Sequence, residues 1–120
     1  MKVIIAGGRD FDDYERLEAE MDAMLTHQGT ISPRLEIVQG GAKGADSLGS
    51  EWAASYGVKE KQFDADWDQY GKAAGHKRNY AMARYSDVLV AFWDGESRGT
   101  RNMIDNALRE GLEVHVYRYG

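Results

Sequence analysis

Cysteine is absent from the 120 residues, which excludes disulfides, thiolate nucleophiles and zinc–thiolate sites. Proline occurs once, at Pro33, in a stretch from Gly29 that reads as a loop. No apolar run approaches the roughly 20 residues that span a bilayer. The segment Met1 to Ala6 is too short for a secretory signal and leads straight into a charged loop. No membrane partner is therefore expected, and a cytoplasmic location is the default. The chain also lacks a basic run, and its formal net charge is −5. Duplex-binding proteins carry a basic face that exchanges counterions with phosphate. Here Arg9, Lys43, Lys72, Lys77, Arg78, Arg98 and Arg101 lie in or beside glycine-rich loops, while the acids crowd the first helical segment. That pattern points away from a nucleic-acid groove and toward a small anionic ligand. No His, Asp and Glu residues have metal-ligand spacing, and Ser47, Ser86 and Ser97 have no evident partner base, so neither a metal nor a cofactor is expected.

The chain does have glycine in the places where strands end. The apolar run Leu35 to Val38 leads into Gly40-Gly41-Ala42-Lys43-Gly44-Ala45-Asp46, then into a helical pattern. Glycine admits positive φ and close approach of another molecule to the main chain, and a helix start with free N–H groups suits an anion. The arrangement recurs at Gly7-Gly8-Arg9-Asp10 after the first strand, and at Gly95-Glu96-Ser97-Arg98-Gly99-Thr100 after Phe92-Trp93-Asp94. Neither G-x-x-x-x-G-K-[ST] nor G-x-G-x-x-G is matched, so any one loop is equally readable as a tight strand–helix connection.

With 42% hydrophobic and 29% charged residues, the chain is expected to be a single globular domain over residues 1–120. Buried strands are expected at Lys2–Ala6 and Val88–Phe92, further strands at Leu35–Val38 and Glu113–Tyr117, and a weaker edge strand at Val58–Phe63. Helical spacing places helices at about Asp13–His27, Ala45–Tyr56, His76–Tyr85 and Thr100–Glu110. Gly57 and Gly111 read as their C-terminal caps. Residues Asp64 to Gly75 read as irregular. Alternation of this kind makes an α/β, Rossmann-like, doubly wound parallel sheet of about five strands with helices on both faces. Ligands of such sheets bind beyond the strand carboxyl ends, where the strand order reverses. The three loops are therefore expected to meet in one pocket, and Gly41→Val or Gly44→Val to abolish binding while leaving the domain folded.

Individual residues keep two readings. Arg9 and Asp10 are either a salt bridge and cap at a helix start or contacts to phosphate and ribose. Lys43 is either a solvated turn lysine or a point-charge partner of phosphate. Asp46 is favoured by the helix dipole in any case, or it bonds a sugar. Trp67 either fills the core or stacks on a base. His76 reads as a cap or surface residue, with catalysis as the alternative. Lys72, Arg78 and Asn79 belong to the same dense segment, where fixed donors either clamp an anion or brace a loop. Ser97 and Thr100 are cap or phosphate-contacting hydroxyls.

Taken together, Ile5-Ala6-Gly7-Gly8-Arg9-Asp10-Phe11, Gly40 to Asp46, Trp67 to Asn79 and Gly99-Thr100 resemble the YspA-like (cpYpsA-related) branch of the SLOG superfamily. That superfamily includes the LOG cytokinin-activating phosphoribohydrolases and the DNA-processing protein of natural transformation. The resemblance implies binding of a nucleotide or nucleotide-derived small molecule at these loops, and a homodimer or higher homo-oligomer. LOG hydrolases carry Pro-Gly-Gly-x-Gly-Thr-x-x-Glu; here Gly99 and Thr100 fit, but the glutamate position is Met103, which cannot do acid–base work. The expected function is thus sensing, carrying or sequestering such a ligand. Hydrolysis of an N-glycosidic or phosphate bond by Asp10, Asp46 or Asp66 is the enzymatic alternative, and single-stranded nucleic-acid binding a third.

Overall fold

The computed structural model describes residues 1–27 and 34–120; the Gly29 to Pro33 loop expectation lies outside them. Five strands, β1 (Lys2–Gly7), β2 (Glu36–Gln39), β3 (Lys59–Gln62), β4 (Val88–Trp93) and β5 (Glu113–Arg118), pair in parallel in the order β3-β2-β1-β4-β5. The helices are α1 (Tyr14–His27), α2 (Ala45–Ser55), α3 (Trp67–Tyr70), α4 (Ala74–Tyr85) and α5 (Arg98–Arg109). This is the Rossmann-like α/β sheet that the alternating pattern predicts.

Strand periodicity sorts the core into two layers, because successive side chains of a strand point to opposite faces. Val3 and Ile5 of β1 and Val88, Val90 and Phe92 of β4 join Leu17 and Met21 of α1 and Trp52 and Ala53 of α2. Ile4 and Ala6, with Leu89 and Ala91, join Met82 and Ala83 of α4 and Met103 and Ala107 of α5 on the other face. The central strands β1, β2 and β4 are accordingly buried on both faces, as parallel strands covered on both sides are. At the edge, β3 (Lys-Glu-Lys-Gln) is exposed throughout, and its lysines protect the open edge from pairing with another chain.

The order reverses at β1, whose neighbours β2 and β4 lead outward in opposite directions. The register pairs Gly7 with Phe92, so the loops after β1 and β4 leave the sheet side by side. The segment read as irregular holds the one-turn α3, a 3-10 turn at Gly71–Ala73, and the start of α4 two residues before His76. Its cause is local: the Asp66 carboxylate accepts the Gln69 amide at 3.1 Å, capping α3, and four residues are too few to show a helical period.

Candidate ligand-binding cleft

The loop after β1 is fixed by backbone contacts. The Gly8 amide donates to the Phe92 carbonyl at 3.1 Å, and the Gly8 carbonyl accepts the amides of Phe11 and Ala45. Gly44, with φ +81°, makes the second of these contacts possible: a β-carbon there would collide with the Gly8 carbonyl oxygen. Gly44 is thus a packing glycine that seats the start of α2 against the first loop. This differs from the expectation that a side chain at Gly44 would leave the domain intact and harm only binding.

The loop after β2 is satisfied from within. The Asp46 carboxylate, on the first turn of α2, accepts the amides of Gly40 at 3.0 Å and Ala42 at 3.3 Å. The Gly41 amide donates to the Gln39 side chain. Burial pushes the Asp46 carboxyl up to about 6, against the opposing effect of the Ala42 and Gly40 amides and the Arg78 charge. Arg78, near the start of α4, donates from Nη1 to the Gly40 carbonyl at 2.6 Å and from Nε to the Asn79 side chain at 3.0 Å. The buried Asn79 amide donates in turn to the Gly99 carbonyl at 3.2 Å and to Asn102 at 3.0 Å. Two adjacent α4 residues therefore brace the second and third loops together.

The loop after β4 is an aspartate turn. Asp94 accepts the amides of Ser97 and Glu96, both at 2.8 Å, and these bonds hold its carboxyl below the ordinary range. The Ser97 hydroxyl accepts the Thr100 amide and caps α5. The last residues of the chain close over the same region. The Tyr119 hydroxyl donates to Asp10 at 2.6 Å, and Arg118 donates to the Asp94 carbonyl at 3.4 Å. Burial, then the bonded Asp10 carboxylate, pushes the Tyr119 phenol well above its ordinary value.

These loops surround a cleft of about 430 Å³ at the carboxyl ends of the strands. Its walls bring together Gly7 and Arg9 from the first loop; Gly40, Gly41, Ala42 and Asp46 from the second; and Ser97, Gly99 and Thr100 from the third. Arg78, Asn79 and the exposed Trp67 complete the set of sequence-predicted residues in the lining. Gly8, Asp10, Lys43, Gly44, Lys72, Gly95 and Arg98 are outside it. Gly8 and Asp10 face Tyr119, and Gly95 faces Arg118. Sequence reasoning missed Ala6, Asp64, Ala65, Met82 and Met103 as lining residues. Asp64 and Ala65 come just after β3, separated from it by Phe63, so the strand-end rule that found the glycine loops points to them as well. Met82 and Met103 are fully buried on the inner faces of α4 and α5 and carry no local signal. Among the described residues, no group of three or more His, Asp or Glu side chains is arranged to hold a metal ion, and no helix is long and apolar enough to cross a membrane.

In comparisons with known proteins, the family model described as "YspA, cpYpsA-related SLOG family" matches residues 1–70. The match takes in the first two loops and Trp67, and stops before Arg78 and the α5 start. A curated relative, the Gene 61 protein of Mycobacterium phage D29, is 35% identical over 121 residues, covering 94% of this chain and 93% of its own length. No solved structure matches significantly.

Proposed function

Because the chain belongs to the YspA, cpYpsA-related SLOG family, we propose that it binds a nucleotide or nucleotide-derived small molecule in this cleft and acts as its sensor, carrier or sequestering protein. The observation that carries the reading is the start of α5. Gly99 lines the cleft and a β-carbon there would meet open space. The first-turn amide of Gly99 has no acceptor inside the helix, while Ser97 and Thr100 add hydroxyls. A phosphate seated there gains the helix dipole and backbone donors. The amides of Gly40, Gly41 and Ala42 are already bonded internally, so the second loop contributes shape and the Arg78 charge behind it. Trp67, at the rim, offers a face for a base.

Binding without turnover is favoured by Met103, which occupies the cleft wall where the LOG pattern places a glutamate. A thioether neither donates nor accepts a proton at neutral pH. One observation supports hydrolysis as a second reading: Asp46 and Asp64 both line the cleft, and burial pushes the Asp46 carboxyl up to about 6, toward the range useful for a general acid. The readings separate in two measurements on the purified protein: mass spectrometry of molecules released by heat denaturation, and chromatography of the four nucleoside monophosphates after incubation. A phosphorylated nucleoside compound released intact, with no free base formed, is the expected result. Steady base release that is lost in Asp46→Asn would establish the hydrolase, and absence of any nucleotide binding by calorimetry would defeat both readings.

A further inference from the structure

A second concavity, of about 690 Å³, opens beside the cleft, and none of its lining comes from the three glycine loops. Its walls are formed by the chain that leaves β3, by Tyr70 and Ala73, and by α4 as far as Ala81. Phe63, Tyr70 and Tyr80 supply aromatic surface, while Ala73, Ala74 and Ala81 leave room between them. Asp64 and Arg78 line both this groove and the cleft, so the two are continuous at that pair. Each volume by itself lies within the range of small-molecule sites, about 300–1,000 Å³.

The chemistry of the two halves differs. The cleft has Arg9, Arg78 and the α5 start, all suited to phosphate, beside the carboxylates Asp46 and Asp64. The groove has exposed tyrosine rings steadied by cations: the Lys77 ammonium lies 4.7 Å from the centre of the Tyr70 ring, and the Arg84 guanidinium 5.7 Å from that of Tyr80. It also has two carboxylates, Asp64 and Asp66. Carboxylates accept hydrogen bonds from ribose hydroxyls or exocyclic amines, and aromatic rings stack on bases. We propose that the groove receives the second nucleoside of a ligand built from two nucleosides joined through phosphate, with the linking phosphate at Arg78 between the two halves. This rests on the nucleotide reading of the cleft. The chemistry is shared by 5′–5′ pyrophosphate-linked and 3′–5′ phosphodiester-linked dinucleotides.

Calorimetry with the whole chain tests it. The probes are the four nucleoside 5′-monophosphates, the corresponding 5′-phosphorylated 3′–5′ dinucleotides, the P1,P2-dinucleoside diphosphates, and a ten-nucleotide single strand. One dinucleotide linkage should bind about tenfold to a hundredfold tighter than its mononucleotide, as expected for one stacked base. The gain should vanish in Tyr70→Ala and in Tyr80→Ala, which alter half-exposed side chains, with mononucleotide affinity retained. The better-binding linkage identifies the source. Equal affinities for mono- and dinucleotides overturn the proposal and leave the cleft reading standing. Absence of all nucleotide binding overturns both. Much tighter, steeply salt-dependent binding of the ten-nucleotide strand overturns the proposal in favour of a nucleic-acid groove.

Discussion

Replacing Asp46 by asparagine keeps an acceptor for the Gly40 and Ala42 amides while removing a charge that burial disfavours. The Asp46 carboxyl is raised from 3.8 to about 6, so between these values the folded protein holds a proton that the unfolded chain has released. Stability from this group is therefore fully present below about pH 4 and is lost as pH rises to about 6. A tenfold difference in proton affinity between the folded and unfolded states is worth about 1.4 kcal/mol, so the wild type should lose about 3 kcal/mol across that window relative to Asp46→Asn. Urea denaturation of both proteins at a series of pH values from 4 to 7.5 measures the difference directly, since all other titrating groups cancel. Asp46→Asn should gain on the wild type as pH rises and then run parallel to it above about 7. A difference that stays constant with pH, or grows toward acid, would refute the assignment of a buried, charge-penalised carboxylate.

Three further outcomes follow from the loop geometry. Gly44→Ala should lower stability by several kcal/mol in urea or prevent folding, because the methyl group meets the Gly8 and Arg9 backbone at a positive φ; a change under about 1 kcal/mol would contradict the packing role. Arg78→Lys should weaken nucleotide binding about tenfold to a hundredfold in calorimetry with the fold retained, since an ammonium cannot reproduce the fork that joins Gly40 and Asn79. Tyr119→Phe should cost about 1 kcal/mol of urea stability through its lost bond to Asp10, and an unchanged midpoint would show that bond to be idle.

The sheet and the position of the cleft were legible because both leave marks in composition. Runs such as Val88 to Phe92 are apolar without alternation, and a doubly covered strand demands that. The loops that follow them carry glycine where the backbone turns or another segment approaches closely. Which way a loop's amides point leaves no such mark. Gly40-Gly41-Ala42 reads as an anion cradle in sequence, yet Asp46, six residues beyond Gly40, occupies two of its donors and Gln39 the third. The alternative readings of Arg78 and Asn79, clamp or brace, were also undecidable in sequence, because the partners Gly40 and Gly99 lie 38 and 20 residues away. Asp66 and Gln69 did contain a capping signal for α3, obscured by the glycines and aromatics around them.

The carboxylate of Asp46 behaves toward its loop as a tethered anion would, filling the donors before any ligand arrives. Together with the Arg78 and Asn79 braces, it lets the second and third loops reach their final shape without help. A ligand entering the cleft would spend little of its interaction energy on ordering backbone, which is the main route by which a rigid site achieves affinity from few contacts. It would also find the protein already folded, so stabilisation on binding should follow ligand concentration by mass action alone. Any signal this protein passes on would then have to travel through side chains or a partner's surface, because the loops themselves have little left to rearrange.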